Sequence, residues 1–307
     1  MLFRSNRYTL ICTHTSLAAF FTRRACAGWH DRPPLVNVAH GYLFGPDTPF
    51  WKKSILLAAE KMTAPQTDLL LTMNRWDCET ACRCRLGKTV EQIPGVGVEF
   101  SRFDAPPAVS RPALRRRLGL EQEDFVLIYP AEFSARKNQA MLLRALARLP
   151  DSVKLLLPGQ GAQLDACRSL SAALRLESRV IFPGQISDMS SWYHAADAAV
   201  SVSRSEGLPF NVMEAMYCRL PVAASAVKGH TDLLCDGVSG LLFPADSIDL
   251  LVQKLSALQT SPELRRGLTD SAFDAVQPYS LERVLPPVME KYLSVLPRAA
   301  RIGAEVR

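Results

Sequence analysis

Short apolar runs alternate with amphipathic stretches along almost the whole chain, the pattern of parallel strands joined by crossover helices. In the first part, Tyr8–Cys12, Leu35–Ala39, Leu69–Thr72 and Val90–Pro94 read as strands. Thr15–Gly28, Phe50–Met62 and Arg75–Leu86 carry apolar residues at helical spacing. A second series opens with Phe125–Tyr129 and continues with strands at Val153–Leu157, Val180–Phe182, Ala198–Ser203, Val222–Ala224 and Leu241–Phe243. Helices are expected at Asn138–Arg148, Gln163–Leu176, Met189–Ala196, Pro209–Cys218 and Ile248–Leu258, and a last amphipathic segment covers Leu281–Leu296. No internal repeat or low-complexity tract is present.

The two series are separated by Pro94-Gly95-Val96-Gly97-Val98 and Pro106-Pro107, breakers that prevent regular structure. A chain of 307 residues also exceeds the usual size of one core. The expected division is therefore a first domain over 1–105, a second over 106–276, and a terminal helix and tail over 277–307.

Composition narrows the class. With 48% hydrophobic and 21% charged residues, the chain is an ordinary globular protein. A net charge of +6 suits anionic nucleotides or lipid headgroups, but falls short of a nucleic-acid footprint, so no nucleic-acid partner is expected. The eight cysteines are scattered; the cluster Cys78, Cys82 and Cys84 follows no zinc spacing, and reduced thiols are the expectation. No run reaches the roughly 18 apolar residues of a membrane span. The opening, Met1 to Phe21, is broken by Cys12-Thr13-His14-Thr15 and makes a poor signal peptide. The expected location is cytoplasmic, with peripheral association at the inner face of the membrane left open.

The segment richest in chemistry is Glu206-Gly207-Leu208-Pro209-Phe210-Asn211-Val212-Met213-Glu214, followed by Leu220-Pro221-Val222. It places two carboxylates around a strand-to-helix junction. Pro209 suits the first turn of a helix, where its missing N–H would have had no partner. Free backbone N–H groups near 209–212 would then face an anion beyond the strand end. Glu206 falls in the loop and Glu214 in the helix, so the pair can hold different parts of one elongated ligand.

This segment resembles the paired-glutamate region of the retaining, nucleotide-sugar-dependent glycosyltransferases of family 4. Other stretches agree in order: Glu132-Phe133-Ser134-Ala135-Arg136-Lys137-Asn138, Pro158-Gly159-Gln160-Gly161, Phe182-Pro183-Gly184-Gln185-Ile186, Gly229-His230-Thr231-Asp232-Leu233 and Gly237-Val238-Ser239-Gly240-Leu241-Leu242. The chain is most similar to members that build bacterial capsular and exopolysaccharides, from about Cys12 to Tyr292. The resemblance implies an α/β protein of GT-B fold, with two Rossmann-like doubly wound domains facing a cleft. The N-terminal domain is expected to be incomplete, because no Gly-rich turn precedes Tyr8 and the first glycine is Gly28.

The resemblance also implies roles. Glu206 would face the donor sugar at the reacting carbon, and His40, at the end of the Leu35–Ala39 run, would line the catalytic centre. Lys137 would neutralise the leaving diphosphate, with Arg136 beside it read as a surface cation. Glu214 would accept from the ribose hydroxyls. Gly207, Leu208, Pro209, Phe210 and Asn211 would form the donor loop, and Ile186 and Gly159 the nucleobase wall. His14 and Thr15 would lie on the acceptor side. His194 reads as packed or solvated, and His230 as near the donor pocket. The implied activity is transfer from a nucleotide-diphosphate sugar, read as a uridine one, to a saccharide or lipid-linked acceptor in cell-surface polysaccharide synthesis. No cofactor is implied, and no metal, because no two aspartates stand two apart. Two positions depart from the family pattern: Glu132, where many members have arginine, and Arg219, where glycine is usual. A rival reading is a truncated, non-catalytic nucleotide-binding homologue that supports a partner transferase; a nucleotide-sugar epimerase of the same fold is a third.

Overall fold

The computed structural model describes residues 8–46 and 48–297. It contains two parallel sheets. The first has strands β1 (Ile11–His14), β2 (Leu35–Ala39), β3 (Leu69–Thr72) and β4 (Thr89–Gln92), in the order β1-β2-β3-β4. The second has β5 (Phe125–Ile128), β6 (Val153–Leu156), β7 (Val180–Ile181), β8 (Ala198–Ser201), β9 (Val222–Ser225) and β10 (Leu241–Phe243), in the order β10-β9-β8-β5-β6-β7. That order is doubly wound. It reverses between β5 and β8, and ligands of such sheets bind beyond the carboxyl ends of the strands at the reversal.

The chain divides into two compact units. The smaller joins Met1–Gly97 to Leu281–Arg307, and the larger is Val98–Ser280. The division falls after 97 and 280 rather than after 105 and 276, for a local reason. Val98 and Ser280 form a parallel bridge, and Phe100 stacks on Tyr217 with ring centroids 4.4 Å apart. In the smaller unit, the helix Leu281–Ser294 is tied to the sheet by Tyr292 on Cys12 (3.3 Å) and by Lys291 on Glu91.

Central strands are buried on both faces, as parallel sheets require: every residue of β2, β3 and β5 is buried. β1 alternates instead, with Ile11 and Thr13 inward and Cys12 and His14 exposed. Its expected range, Tyr8–Cys12, is corrected to Ile11–His14, because the register pairs Ile11 with Leu35 and His14 with Val38. The core of the larger unit gathers Leu127, Phe133, Leu142, Leu155, Phe243 and Leu255.

Three α-helices of the described residues are not expected from the sequence: the single turn His230–Leu233, Arg111–Arg117 and Pro262–Val276. Arg111–Arg117 is short and mostly arginine, yet buries Leu114 and also Arg115, which donates to the Asp124 and Glu121 carbonyls. Pro262–Val276 starts at Ser261, whose hydroxyl accepts from the Leu264 amide, and buries Leu268, Ala272 and Val276 at every fourth position. Among the described residues, no helix is long and apolar enough to cross a membrane.

Candidate active site

The larger unit gathers its candidate residues from the loops that leave β5, β8 and β9. Tyr129, buried at the end of β5, donates to the Lys137 carbonyl (3.0 Å) and shares a hydrogen bond with the Ser203 hydroxyl (2.8 Å). This ties the loop after β5 to the end of β8. Glu206 is only 6% exposed, and both of its oxygens are held by that first loop. Lys137 Nζ reaches Oε1 at 2.6 Å, and Arg136 Nη1 reaches Oε2 at 3.0 Å. Arg136 also donates to the Ser205 carbonyl at 3.1 Å. Arg136, expected to be a surface cation, is exposed, with 48% of its side chain open, and it also pairs with Glu206 as part of its cradle. Burial pushes the Glu206 carboxyl up, but Lys137, His230 and Arg136 together hold it below the usual carboxylate range.

Behind this carboxylate lies the turn after β9. Gly229 has φ +85°, and a Cβ there would sit 2.6 Å from the Gly207 carbonyl oxygen and 3.0 Å from that of Glu206. Only glycine allows the two loops to approach so closely. His230 follows, fully buried, with Nδ1 donating to the Ser225 carbonyl at 2.7 Å and Nε2 without a hydrogen-bond partner. Burial lowers its pKa while Glu206 raises it, so the two groups sense one another.

The helix after β8 runs from Phe210 to Tyr217, and Pro209 occupies the position before its first turn rather than within it. Met213 makes an early intrahelical bond, to the Pro209 carbonyl at 3.2 Å. Asn211 Nδ2 donates to the Pro130 carbonyl at 3.0 Å, which fixes the helix start against the end of β5. Leu208 and Pro209 are buried and Phe210 is exposed. Glu214 points inward from this helix. Its Oε2 accepts from the Tyr193 hydroxyl at 2.8 Å, and its Oε1 pairs with Arg102. Burial raises its pKa, and Arg102 and Tyr193 pull it back only in part.

Gly159 stands after β6, where its amide donates to the Gly184 carbonyl (2.8 Å). Its φ is +144°, and a Cβ would fall 2.0 Å from the Ala131 carbonyl oxygen. Ile186 is half-buried in the loop before the helix Met189–Ala195, where His194 bonds the Ser190 carbonyl. Glu132 is exposed. Arg219 does adopt the left-handed conformation (φ 55°) that favours glycine, compensated by an ion pair with Asp270 (3.0 Å) and by stacking 4.1 Å over Phe273.

In the smaller unit, His14 ends β1 and His40 follows β2. The two imidazoles are joined by a 2.8 Å hydrogen bond between His14 Nδ1 and His40 Nε2. Burial, then the His14 charge, lowers the His40 pKa. Thr15 takes φ 71°, costly for a β-branched residue, while its amide bonds the Val38 carbonyl.

The sequence missed three partners: Arg136 as a ligand of Glu206, and Arg102 and Tyr193 as ligands of Glu214. Nothing in the local pattern marks them. Among the described residues, no group of three or more His, Cys, Asp or Glu side chains is placed to hold a metal ion.

Residues 110–274, more than half of the chain, match the family described as glycosyl transferases group 1. The chain belongs to that family. This group 1 glycosyltransferase is 30% identical over 291 residues to a putative glycosyltransferase, EpsD, of Bacillus subtilis, covering 93% of this chain and 76% of the relative. It is 26% identical over 307 residues to a D-inositol 3-phosphate glycosyltransferase of Xylanimonas cellulosilytica, covering 95% and 73% of the two chains. The fold matches HepE of Anabaena, solved with UDP-glucose, at a TM-score of 0.83 and 24% identity over 94% of this chain and 79% of that one. It also matches sucrose-phosphate synthase of Thermosynechococcus elongatus at a TM-score of 0.80 and 23% identity, over 94% and 74%. The fold is that of the GT-B glycosyltransferases.

Proposed function

We propose that this protein transfers a sugar from a uridine-diphosphate donor to a saccharide or lipid-linked acceptor, with retention of anomeric configuration, in the synthesis of a cell-surface polysaccharide. The observation that carries the reading is the buried Glu206 carboxylate between Lys137 and Arg136, at the strand-order reversal and beside a helix start. A carboxylate kept ionised there can stabilise the positive charge that develops on the reacting sugar. Lys137, Arg136 and the amides at the start of the helix Phe210–Tyr217 supply positive potential for the leaving diphosphate without a metal. HepE, solved with UDP-glucose, supports the choice of donor.

In this reading Glu206 and His40 are the catalytic residues. Lys137, Glu214, the loop Gly207–Asn211, Ile186 and Gly159 bind the donor, and His14 and Thr15 serve the acceptor. Glu214 meets a ribose only if Arg102 swings aside, which its half-exposed side chain allows; Tyr193 stays as the fixed partner. A membrane-bound acceptor agrees with one face of the smaller unit. Leu17, Phe21 and Leu43 are each more than 60% exposed there and line an apolar cavity of about 250 Å³. The helix Phe50–Thr63, which lines it with Leu56 and Ala59, also carries the exposed Phe50, Trp51 and Ile55 and the lysines Lys52, Lys53 and Lys61. Apolar side chains among lysines suit an anionic bilayer surface.

Calorimetric titration of the full chain with UDP, GDP and ADP tests the donor assignment. UDP is expected to bind in preference to the other two. Folded protein that binds none of them would sink the proposal.

A further inference from the structure

Four side chains of the smaller unit form one hydrogen-bonded file. Tyr292 Oη lies 3.3 Å from Cys12 Sγ, Cys12 Sγ lies 3.5 Å from His14 Nε2, and His14 Nδ1 lies 2.8 Å from His40 Nε2. The file follows from the fold. Cys12 and His14 share the outward face of β1, the parallel register brings the end of β2 beside His14, and the helix Leu281–Ser294 lays Tyr292 over Cys12.

We propose that His14 is a positioning residue for His40, and that the file Tyr292–Cys12–His14–His40 fixes His40 as the tautomer protonated at Nδ1. Three proton arrangements satisfy every link with neutral imidazoles. In one, Tyr292 donates to the Cys12 sulfur, the thiol donates to His14 Nε2, and His14 Nδ1–H donates to His40 Nε2. In the other two, His40 Nε2–H donates to His14 Nδ1 and His14 Nε2–H to the Cys12 sulfur. The thiol then either donates to the phenol oxygen, a poor acceptor, or places no hydrogen in the file while its sulfur, a weak acceptor, takes hydrogens from both Tyr292 and His14. The first arrangement uses a good donor at its start and imidazole nitrogens, good acceptors, at its next two links. Burial and the Cys12 contact also push the Tyr292 phenol above its usual range, so it keeps its proton. His40 then presents Nδ1–H, which has no hydrogen-bond partner among the described residues, as an oriented donor toward a substrate oxygen. His14, assigned above to the acceptor side, would thus act through His40.

The assignment of a use to that N–H rests on His40 acting in transfer, as proposed above; the tautomer does not. Long-range ¹H–¹⁵N spectra of the imidazoles in the full chain, assigned with single His→Gln variants, read it directly. The wild type is expected to show His40 protonated at Nδ1. His14→Phe, which keeps a ring and removes both nitrogens, is expected to return His40 to the Nε2–H form favoured in water. His14→Gln, whose amide can still donate, is expected to keep the Nδ1–H form, as is Cys12→Ser. Tyr292→Phe, a mild change on a helix, should increase tautomer exchange. In transfer assays, His14→Phe should lower kcat about 10- to 100-fold with little change in KM, and His14→Gln should recover part of it. His40 protonated at Nε2 in the wild type, or a tautomer indifferent to His14→Phe, would overturn the inference. A tautomer that moves as expected while kcat stays constant would support the file and instead remove His40 from catalysis.

Discussion

Replacing Lys137 by methionine isolates the interaction on which the candidate site depends. Glu206 is 6% exposed and Lys137 12%, and their 2.6 Å contact is the stronger of the two that hold this carboxylate. Removing one partner of a buried ion pair costs about 3–5 kcal/mol, because the remaining charge is left uncompensated. Arg136 stays at 3.0 Å, but it is 48% exposed and screened by solvent, so it offsets only part of the loss. An expected cost of about 2–3 kcal/mol follows. In a unit of this size that lowers Tm by roughly 4–12 °C. The assay is urea and thermal unfolding followed by Trp192, the larger unit's single tryptophan, in a chain whose other three tryptophans are phenylalanine.

The pH dependence supplies the control. In the wild type the Glu206 pKa lies below its ordinary 4.5, so the pair's contribution is fully present above that value and is lost as pH falls through the lowered one. Without Lys137, burial dominates and the carboxyl titrates higher. The gap between variant and wild type should therefore shrink as the pH is lowered toward and below 4.5. Adding Glu206→Gln to Lys137→Met should restore part of the stability, since an amide carries no buried charge. A Lys137→Met cost below about 0.5 kcal/mol, the range of an ordinary surface substitution, would refute the reasoning. So would a double variant no more stable than the single one.

Other outcomes can be checked independently. Gly159→Ala should destabilise the larger unit by about 2 kcal/mol or more, as thermal unfolding will show, because its Cβ would overlap the Ala131 carbonyl at a φ that alanine avoids. Glu214→Ala should weaken UDP binding in calorimetry, whereas Glu206→Ala should mainly lower kcat, since the first contact is made in the ground state and the second strengthens in the transition state. Equal effects on binding, with none on rate, would contradict the roles proposed for them. Sugar transfer should persist in a strong chelator; loss of activity restored by manganese would refute metal-free departure of the diphosphate.

Some of this protein was legible in its sequence. Apolar runs located most strands among the described residues, because burial on both faces of a parallel sheet forces continuous apolar runs such as Phe125–Ile128 and Ala198–Ser201, whereas the alternating β1 was placed three residues too early. The junction around Pro209 was visible for a similar reason: turn and helix-start preferences are local. Pattern did less well where chemistry displaced it, as in Arg111–Arg117, whose arginines are held by Asp124 and Asp197 rather than by apolar burial.

What the tertiary structure alone decided is who meets whom. Lys137 reaches Glu206 across 69 positions of chain and Arg102 reaches Glu214 across 112. A local pattern records which face of an element is buried, but carries no record of which distant loop the strand order brings beside it. The reversal between β5 and β8 places the Arg136–Lys137 loop against Glu206, and so makes a surface arginine part of the cradle as well. The β1–β2 register likewise joins His14 to His40, two histidines that the sequence could assign only one at a time.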